Sequence, residues 1–415
     1  MTNRTSDQPH LRIALVFIVV AFCAACGANT DQSSDETATS EGGASEESTQ
    51  QTTRAERETP AAEDSVTEAT ESSMSEKSED KPADTGPVEV ETSVIATNLE
   101  VPWGFAFLPN GDALFTERDS GRLLRMDAAG NMEVVQTLPT RGYGEGGSLG
   151  LAVSPDYEED GYVYAYYTTD RDNRVVRFRL GEEPEPILTG IPFNTYHDGG
   201  RIAFGPDGML YAATGDAGNP ANSQDRNSLG GKILRLTPDG GVPDDNPFPN
   251  NPLYSYGHRN VEGLAWDEKG RLYASEFGLN RYDEVNRITP GENYGWPAVE
   301  GDGGESQGYV DPITTWSTDE ASPSGAEILK DGAIPQWEGD LFVAALRGER
   351  LWRLELGADG NVTARHQLFR GEVGRIRNVI QAPDGSLWVT TSNLDGRGTP
   401  AAEDDRILRL APANG

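Results

Sequence analysis

A histidine in a glycine-flanked loop is the clearest candidate for acid–base chemistry in this sequence. His197 stands in the run NTYHDGGR, and Asp216 follows in the later run ATGDAGN. A carboxylate beside an imidazole holds one tautomer and favours the charged form, as a general base requires. From these residues alone, a hydrogen-bonded loop histidine without chemistry is the default interpretation, and a base oriented by Asp216 is the alternative.

Four arginines in three separate segments could bind an acidic ligand. Arg375 and Arg377 alternate in GRIRNV, so a strand would turn both side chains to one face, while Arg259 and Arg347 lie elsewhere. Guanidinium groups bind carboxylates bidentately, so a converging set would suit a ligand with several carboxylates. Pairing of each arginine with one of the many acidic side chains remains the simpler interpretation from spacing alone.

A third candidate is the segment from Ser275 to Asn280, which is followed by Asp283 and Glu284. Calcium prefers carbonyl and carboxylate oxygens, and this segment offers both. The spacing of a calcium-binding loop is missing. An ordinary tight turn is therefore the default, and a cation site is the alternative.

These candidates fall in the connections of a repeating strand pattern. Each copy has a turn rich in Pro, Asp and Gly, an alternating strand, a second turn and a strand with Arg and Leu. The copies begin near Pro109, Pro155, Pro206, Asp267, Trp337 and Pro383. Short alternating strands predict an all-β fold, and repetition at about 45–70 residues predicts a propeller.

The pattern thus predicts a six-bladed β-propeller of four-stranded antiparallel blades. An additional strand, Val88–Ile95, is expected to pair with the C-terminal segment Asp405–Leu410 and close the ring. Loops from several blades meet at the central channel of such a fold, so distant residues can form one site. A propeller by itself does not specify a function.

The N-terminal region predicts export. Arg4 and Arg12 precede an apolar run, Ile13–Phe22, which ends in Cys-Ala-Ala-Cys with Cys26 last. We interpret residues 1–26 as a lipoprotein-type signal peptide and expect lipid anchoring on the extracytoplasmic side of a bacterial membrane, periplasmic or at the cell surface. An ordinary signal peptide or an uncleaved anchor is the alternative.

Composition separates a linker from the propeller and excludes one class of partner. Residues 28–87 carry 16 Asp and Glu against four Lys and Arg, and few large apolar side chains. We predict a disordered linker over residues 27–87 and the propeller over residues 88–415. The formal net charge of the chain is −34. Because so acidic a protein repels phosphate backbones, nucleic acid is not an expected partner.

Taken together, the motifs resemble the soluble sugar dehydrogenases that use pyrroloquinoline quinone (PQQ), the glucose/sorbosone dehydrogenase family. The similarity runs through TYHDGGRI, YGHRNVEG, NYGWP and GRIRNVIQAPDG, and it covers essentially the whole propeller from VPWGFAF to DDRILRL. It implies oxidation of aldoses to lactones by hydride transfer to PQQ, with Ca²⁺ as Lewis acid. An external electron acceptor of unknown identity would complete the cycle.

The resemblance also implies a role for each matching residue. His197 would be the base, supported by Asp216. Cofactor contacts would come from Glu145, Arg201, Arg259, Asn260, Arg347, Arg375 and Arg377. The backbone carbonyl groups of Gly278 and Leu279 would hold the calcium ion. The family usually has proline where this chain has Leu279, so the turn lacks the fixed φ that proline supplies.

Two other functions remain open at this point. One is a non-catalytic propeller that binds carbohydrate or protein and is displayed on a lipid anchor. The other is a propeller lactonase, which needs acidic and amide side chains from several blades around a metal. The sequence shows a surplus of arginine and no such acidic cluster, so dehydrogenase ranks first, the binding module second and lactonase third.

Overall fold

The structure is a computed structural model, and it describes residues 89–413. The predictions of a signal peptide over residues 1–26 and of a linker over residues 27–87 therefore concern residues outside the described range. Within residues 89–413, helices are short, and none is long and apolar enough to cross a bilayer.

Nearly all regular structure is β-strand. The strands are β1 (Val90–Ala96), β2 (Pro102–Phe107), β3 (Ala113–Glu117), β4 (Arg122–Met126), β5 (Met132–Thr137), β6 (Ser148–Val153), β7 (Val163–Thr168), β8 (Asn173–Phe178), β9 (Glu185–Ile191), β10 (Ile202–Phe204), β11 (Leu210–Ala213), β12 (Lys232–Leu236), β13 (Leu253–Tyr256), β14 (Val261–Trp266), β15 (Leu272–Glu276), β16 (Tyr282–Ile288), β17 (Thr314–Ser317), β18 (Pro323–Ile328), β19 (Leu341–Ala345), β20 (Arg350–Leu356), β21 (Val362–Leu368), β22 (Ile376–Gln381), β23 (Leu387–Thr391) and β24 (Ile407–Pro412). The described helices are α1 (Tyr157–Asp160), α2 (Ala221–Gln224) and the 3₁₀ turns Glu305–Gln307 and Pro335–Trp337.

The strands form six four-stranded antiparallel sheets, which confirms the predicted six-bladed propeller. Five sheets follow chain order, as β2–β5, β6–β9, β10–β13, β14–β17 and β18–β21, and the sixth has the order β22-β23-β24-β1. The first strand of each sheet lies innermost, and β2 packs against both β6 and β22. The first and last blades are therefore neighbours, and the ring is closed.

Pairing of the two ends of the propeller is also confirmed. In the register of β1 and β24, Val90 faces Pro412 and Val94 faces Leu408, with a bulge before Ala96. The outermost strand of the last blade thus comes from the start of the propeller. The backbone hydrogen bonds between β1 and β24 close the ring and give the last blade its fourth strand.

Burial follows the position of a strand in its blade. All six residues of β7 are buried, whereas the outermost strand β5 is mostly exposed. An inner strand is covered by the neighbouring blades on both faces, and an outer strand is covered on one face at most. Tyr164 and Tyr166, both fully buried, pack with Ile202 and Leu210 of the next blade. Full burial of an aliphatic side chain such as Ile202 or Leu210 contributes about 1.5–3 kcal/mol.

The six innermost strands surround a channel with a polar interior. One part of this channel is a cavity of about 310 Å³, and the polar side chains in its lining are Arg201, Glu327 and Asn378. Burial raises the pKa of Glu327 to about 7, although Lys330 and Arg201 act in the opposite direction. This carboxyl group therefore keeps its proton in the folded protein at a pH where it would lose it in the unfolded chain.

We expect Glu327→Gln to stabilise the protein at pH 8 and to leave stability nearly unchanged at pH 4.5. The raised pKa means that the folded state binds a proton more tightly, so stability falls as the pH rises from about 4.5 to about 7. Glutamine cannot ionise and escapes this loss. Urea unfolding at pH 4.5, 6 and 8 measures the effect, with the exposed Glu268→Gln as control. Equal stability of variant and wild type at pH 8 would contradict it.

Candidate active site

His197 and Asp216 meet, as the sequence predicted, where the loop after β9 passes the end of β11. His197 Nδ1 lies 2.7 Å from Asp216 Oδ1. An ionised Asp216 can only accept, so in the neutral imidazole Nδ1 is the nitrogen that carries the proton and Nε2 the one with the lone pair. His197 adopts a left-handed backbone conformation, with φ 62°, which is uncommon for a residue with a side chain and is frequent at functional sites.

Two further donors hold Asp216 in place. Trp296 Nε1 donates to Asp216 Oδ2 at 2.9 Å, and the Gly218 N–H donates to Oδ1 at 2.7 Å. Burial would raise the pKa of Asp216, but the hydrogen bonds from His197, Trp296 and Gly218 lower it below its usual value. The carboxylate is therefore ionised and fully hydrogen-bonded, and it can stabilise a proton taken up by the imidazole.

Glu145 supports the histidine from the other side. Its Oε2 accepts the backbone N–H of His197 at 2.8 Å, and its Oε1 accepts a hydrogen bond from Arg397 at 2.7 Å. Burial raises the pKa of Glu145, but these two donors outweigh burial and lower it. The preceding Gly144 has no room for a side chain, because a Cβ atom would lie 2.1 Å from the Thr195 carbonyl oxygen. Glu145 thus connects the histidine loop to the last blade.

His197 opens into a cavity of about 580 Å³, which we call the histidine cavity. Its walls also carry Asp216, Arg259, Leu279, Trp296 and Glu300, together with Tyr196, Gly218, Pro220, Arg281, Pro297, Ala298 and Val299. The Tyr196 ring meets the imidazole edge-on, with centroids 4.7 Å apart. A wide cavity with aromatic and polar walls beside a base can accept a polar organic molecule.

A smaller and more enclosed cavity, of about 210 Å³, lies at the centre of the propeller; we call it the arginine cavity. Its charged lining residues are Arg118, Glu145, Asp198, Glu262, Arg377, Asp395 and Arg397, and Trp103, Gly144, Gly199, Phe277, Leu346 and Gly396 complete its wall. Burial raises the pKa of Asp198 to about 7. Part of the negative charge in this wall is therefore neutralised near neutral pH.

Of the arginine pair predicted from the sequence, Arg377 lines this cavity, and Arg375 binds Asp395, which also lines it. Arg377 Nη1 donates to Glu262 Oε2 at 2.8 Å, and Arg375 Nη2 donates to Asp395 Oδ2 at 2.8 Å. Both guanidinium groups are buried, and burial lowers the pKa of Arg377. Both arginines thus pair with acidic side chains, and their predicted role in cofactor binding stays a prediction. Arg377 nevertheless lines the cavity.

The arginines retain donors for an anionic ligand. Among the described residues, three buried guanidinium nitrogens have no hydrogen-bond partner: Arg377 Nε, Arg259 Nε and Arg201 Nη2. An unpaired buried donor costs about 1–3 kcal/mol, and a charged group costs more, so a bound acceptor would be stabilised. Arg377 lines the arginine cavity and Arg259 lines the histidine cavity, so the residues present fit an acidic cofactor.

Arg259 and Asn260 face different surroundings. Arg259 lines the histidine cavity, and its guanidinium carbon lies 5.4 Å from the centroid of the Trp296 ring. Asn260 is buried beneath the histidine loop, where its Oδ1 accepts the Gly199 N–H at 2.9 Å and its Nδ2 donates to Glu262 at 3.2 Å. In this structure Asn260 positions the loop.

The predicted cation pair lies at the rim of the histidine cavity. The Gly278 carbonyl oxygen accepts a hydrogen bond from Arg259 Nη1 at 2.5 Å. A Cβ atom on Gly278 would lie 1.7 Å from the Tyr282 carbonyl oxygen, so only glycine fits. Leu279 is half exposed. Across residues 89–413, no cluster of three His, Cys, Asp or Glu side chains is arranged to hold a metal. A cation here would therefore be bound by backbone carbonyl groups and by the bound cofactor.

Two predicted cofactor residues lie away from both cavities. Arg201 lines the channel cavity of about 310 Å³ instead. Its guanidinium lies 4.3 Å from the Trp103 ring centroid, and its Nε donates to the Glu262 carbonyl oxygen. Arg347 is exposed in the loop after β19, and the adjacent Leu346 lines the arginine cavity. The roles predicted for Arg201 and Arg347 stay predictions.

The structure adds three acidic residues that sequence reasoning missed. Glu262 bridges Asn260, Ser324 and Arg377, and burial raises its pKa. Asp395 joins the arginine pair, and Glu300 binds the predicted cation loop. Only Glu262 left a sequence signal, because it alternates with Asn260 and must share its side of the chain. The other contacts depend on loop paths.

A second histidine has the connectivity of a hydrolase triad but cannot act as one. His258 Nε2 lies 2.8 Å from Ser255 Oγ, and His258 Nδ1 lies 2.8 Å from Glu276 Oε2. All three residues are buried, with His258 and Ser255 at 0 % exposure. Because no substrate can reach this serine, the group is structural. It offers no support for a lactonase or another hydrolase.

Comparisons with known proteins agree with this site. Residues 99–408 match the family model for glucose/sorbosone dehydrogenase. The chain is 28 % identical over 365 residues to the aldose sugar dehydrogenase YliI of Escherichia coli, covering 79 % of this chain and 94 % of the relative. It is 30 % identical over 410 residues to quinoprotein glucose dehydrogenase B of Acinetobacter calcoaceticus, covering 73 % and 85 %.

A solved structure gives the same result for the fold. The PQQ-bound aldose sugar dehydrogenase from Streptomyces coelicolor is 50 % identical, covers 78 % of this chain and 99 % of its own, and superposes with a TM-score of 0.73. The resemblance inferred from the sequence motifs is thereby confirmed. This chain is a sugar dehydrogenase of the glucose/sorbosone dehydrogenase family.

Proposed function

We propose that this protein oxidises aldose sugars to lactones with PQQ as the electron acceptor and Ca²⁺ as a second cofactor. The observation that carries the proposal is the His197–Asp216 pair, which opens into the same cavity as Arg259. The solved structure of the Streptomyces coelicolor relative is a PQQ-bound form, which supports the choice of cofactor.

The chain's own residues would hold the cofactor by its charge. Arg375 and Arg377 would bind carboxylate groups, with Arg377 in the wall of the arginine cavity and Arg259 beside the histidine. The unpaired donors Arg377 Nε and Arg259 Nε are available for this purpose. When bound, the quinone supplies an acceptor for the hydride that leaves the anomeric carbon of the sugar.

The proton of the anomeric hydroxyl group would pass to His197 Nε2. Nδ1 already donates to Asp216, so Nε2 is the nitrogen with a free lone pair. The ionised Asp216 stabilises the imidazolium that results. Loss of this proton and of the hydride converts the hemiacetal to a lactone.

A calcium ion would bind the carbonyl oxygens of Gly278 and Leu279 and act as a Lewis acid. The Gly278 carbonyl group faces Arg259, so the loop presents it toward the reacting centre. Because no carboxylate cluster supplements the pair in residues 89–413, we expect the cofactor to provide further ligands.

We also propose that the protein is exported and held to the membrane only by a lipid on Cys26. The basic residues, the short apolar run and the final cysteine of the N-terminal region support this proposal. Electrons would then leave the reduced cofactor for an external acceptor outside the cytoplasm.

Dye-linked oxidation of an aldose panel by the full-length protein tests the proposed reaction. We expect no activity in the protein alone, little with PQQ, and full activity with PQQ and Ca²⁺ together. PQQ binding without activity on any aldose would mean another substrate class. Absence of PQQ binding by absorbance would overturn the proposal and favour the non-catalytic binding propeller.

A further inference from the structure

One carboxylate oxygen organises the whole rim of the histidine cavity. Glu300 Oε1 accepts four consecutive backbone N–H groups: Leu279 at 2.6 Å, Asn280 at 2.9 Å, Arg281 at 3.0 Å and Tyr282 at 3.3 Å. Glu300 comes from a different loop, between β16 and β17. An oxygen that accepts four N–H groups in this way is that of a carboxylate, which is an acceptor only.

The four hydrogen bonds also fix the direction of the carbonyl groups. In a trans peptide unit, the N–H of one residue and the C=O of the preceding residue point in opposite directions. Both peptide units from Gly278 to Asn280 are trans. The N–H of Leu279 points at Glu300, so the Gly278 carbonyl must point away from it. The N–H of Asn280 imposes the same direction on the Leu279 carbonyl.

The structure shows this consequence directly for the first of the two carbonyl groups. The Gly278 oxygen faces Arg259 Nη1, while the Leu279 N–H of the same peptide unit faces Glu300. On the other side of the turn, Asp283 Oδ1 accepts the Gly278 N–H at 2.9 Å. The two carboxylates therefore hold the loop at both ends.

We propose that Glu300 is a positioning residue for the cation site, because it turns the carbonyl groups of Gly278 and Leu279 toward the bound cofactor and its cation. This inference rests on the proposed function. It also explains how the site accommodates Leu279. Proline has no N–H group, whereas Leu279 donates the shortest of the four hydrogen bonds. In this chain a hydrogen-bonded carboxylate does what a fixed φ would otherwise do.

Hydrogen–deuterium exchange on the full-length protein without ligands tests the positioning step. In Glu300→Ala, we expect the amides of residues 279–282 to exchange at least about tenfold faster. The wild-type loop must break its hydrogen bonds to the carboxylate in order to open, and the variant has none of these bonds. Glu300→Gln keeps a neutral acceptor and should show a smaller increase. Glu292→Gln removes an exposed acid from the same connection and serves as the control. Unchanged exchange in Glu300→Ala would overturn the proposal.

A calcium titration, followed by thermal unfolding in the presence of saturating PQQ, tests the link to the cation. We expect Glu300→Ala to require about tenfold more Ca²⁺ or more for half of the stabilisation, Glu300→Gln less than that, and Glu292→Gln no more than wild type. If Glu300→Gln loses as much affinity as Glu300→Ala while exchange stays slow, Glu300 acts through its charge and the proposal is wrong.

The two proposals fail in different ways. Wild-type protein that binds PQQ but shows no Ca²⁺-dependent stabilisation would remove the cation from the proposed function, and the cation role of Glu300 with it. A normal calcium response in wild type, with the same response in Glu300→Ala, would overturn the role of Glu300 alone.

Discussion

His197→Asn is expected to lower kcat by about 10²–10⁴-fold, the usual contribution of a positioned general base. Asparagine is the suitable replacement because His197 has φ 62°, and asparagine tolerates this left-handed conformation better than alanine does. The imidazole lone pair on Nε2 is lost, so the anomeric proton has no acceptor at that place. Steady-state kinetics with saturating PQQ and Ca²⁺ measure the effect.

PQQ binding separates loss of the base from loss of the site. No guanidinium group of the arginine cavity bonds to the His197 side chain within the described residues, so absorbance titration should give a PQQ affinity near that of wild type. His366→Asn is the matched control, because this histidine is exposed on the outer strand β21 and pairs with Glu355 at 2.8 Å. Turnover close to wild type in His197→Asn would remove His197 from the mechanism.

Arg377→Met is expected to destabilise the protein by about 3–5 kcal/mol. Arg377 and Glu262 have side chains only 6 % and 7 % exposed and form a 2.8 Å ion pair. In the part of the chain that the structure describes, the hydrogen-bond donors that remain on this buried carboxylate, Ser324 and Asn260, are neutral, and breaking a buried ion pair has a cost of this size. Urea unfolding of the full-length protein measures the change, and the same variant should bind PQQ more weakly.

A double-mutant cycle tests the physical reason. Glu262→Gln combined with Arg377→Met removes both charges, so the double variant should be more stable than the sum of the single effects predicts. Arg141→Met is the control, since the Arg141–Asp170 pair is exposed at 55 % and 77 % and such pairs contribute about 0–1 kcal/mol. Additive effects of the two buried substitutions would mean that the pair is not coupled.

The fold could be predicted from the sequence because its blades are specified by patterns that extend over only a few residues. Each blade repeats a turn, a short strand and a second turn, and alternation within a strand reports which side chains are buried. Six copies therefore predicted six blades, and the strand left over predicted the closure of β1 against β24. What the pattern did not report was the degree of burial, since β7 is covered on both faces by neighbouring blades.

The site was predictable only in part, for a related reason. The histidine loop, the arginine pair and the Gly278–Leu279 turn are short local motifs, and their resemblance to one family identified them. Which side chains bind to them depends on loops that meet only in the folded ring. Trp296 reaches Asp216 across 80 residues, and Arg377 reaches Glu262 across 115.

The sequence alone thus determined a six-bladed all-β propeller, its dehydrogenase family and the candidate residues for catalysis and binding. The tertiary structure alone decided how these residues are supported: the indole N–H on Asp216, the buried pair at Glu262, and the four amides on Glu300. The physical reason is that burial periodicity and turn chemistry act over a few residues. The partner of a buried charge is instead whichever opposite group the closed ring brings within hydrogen-bond distance.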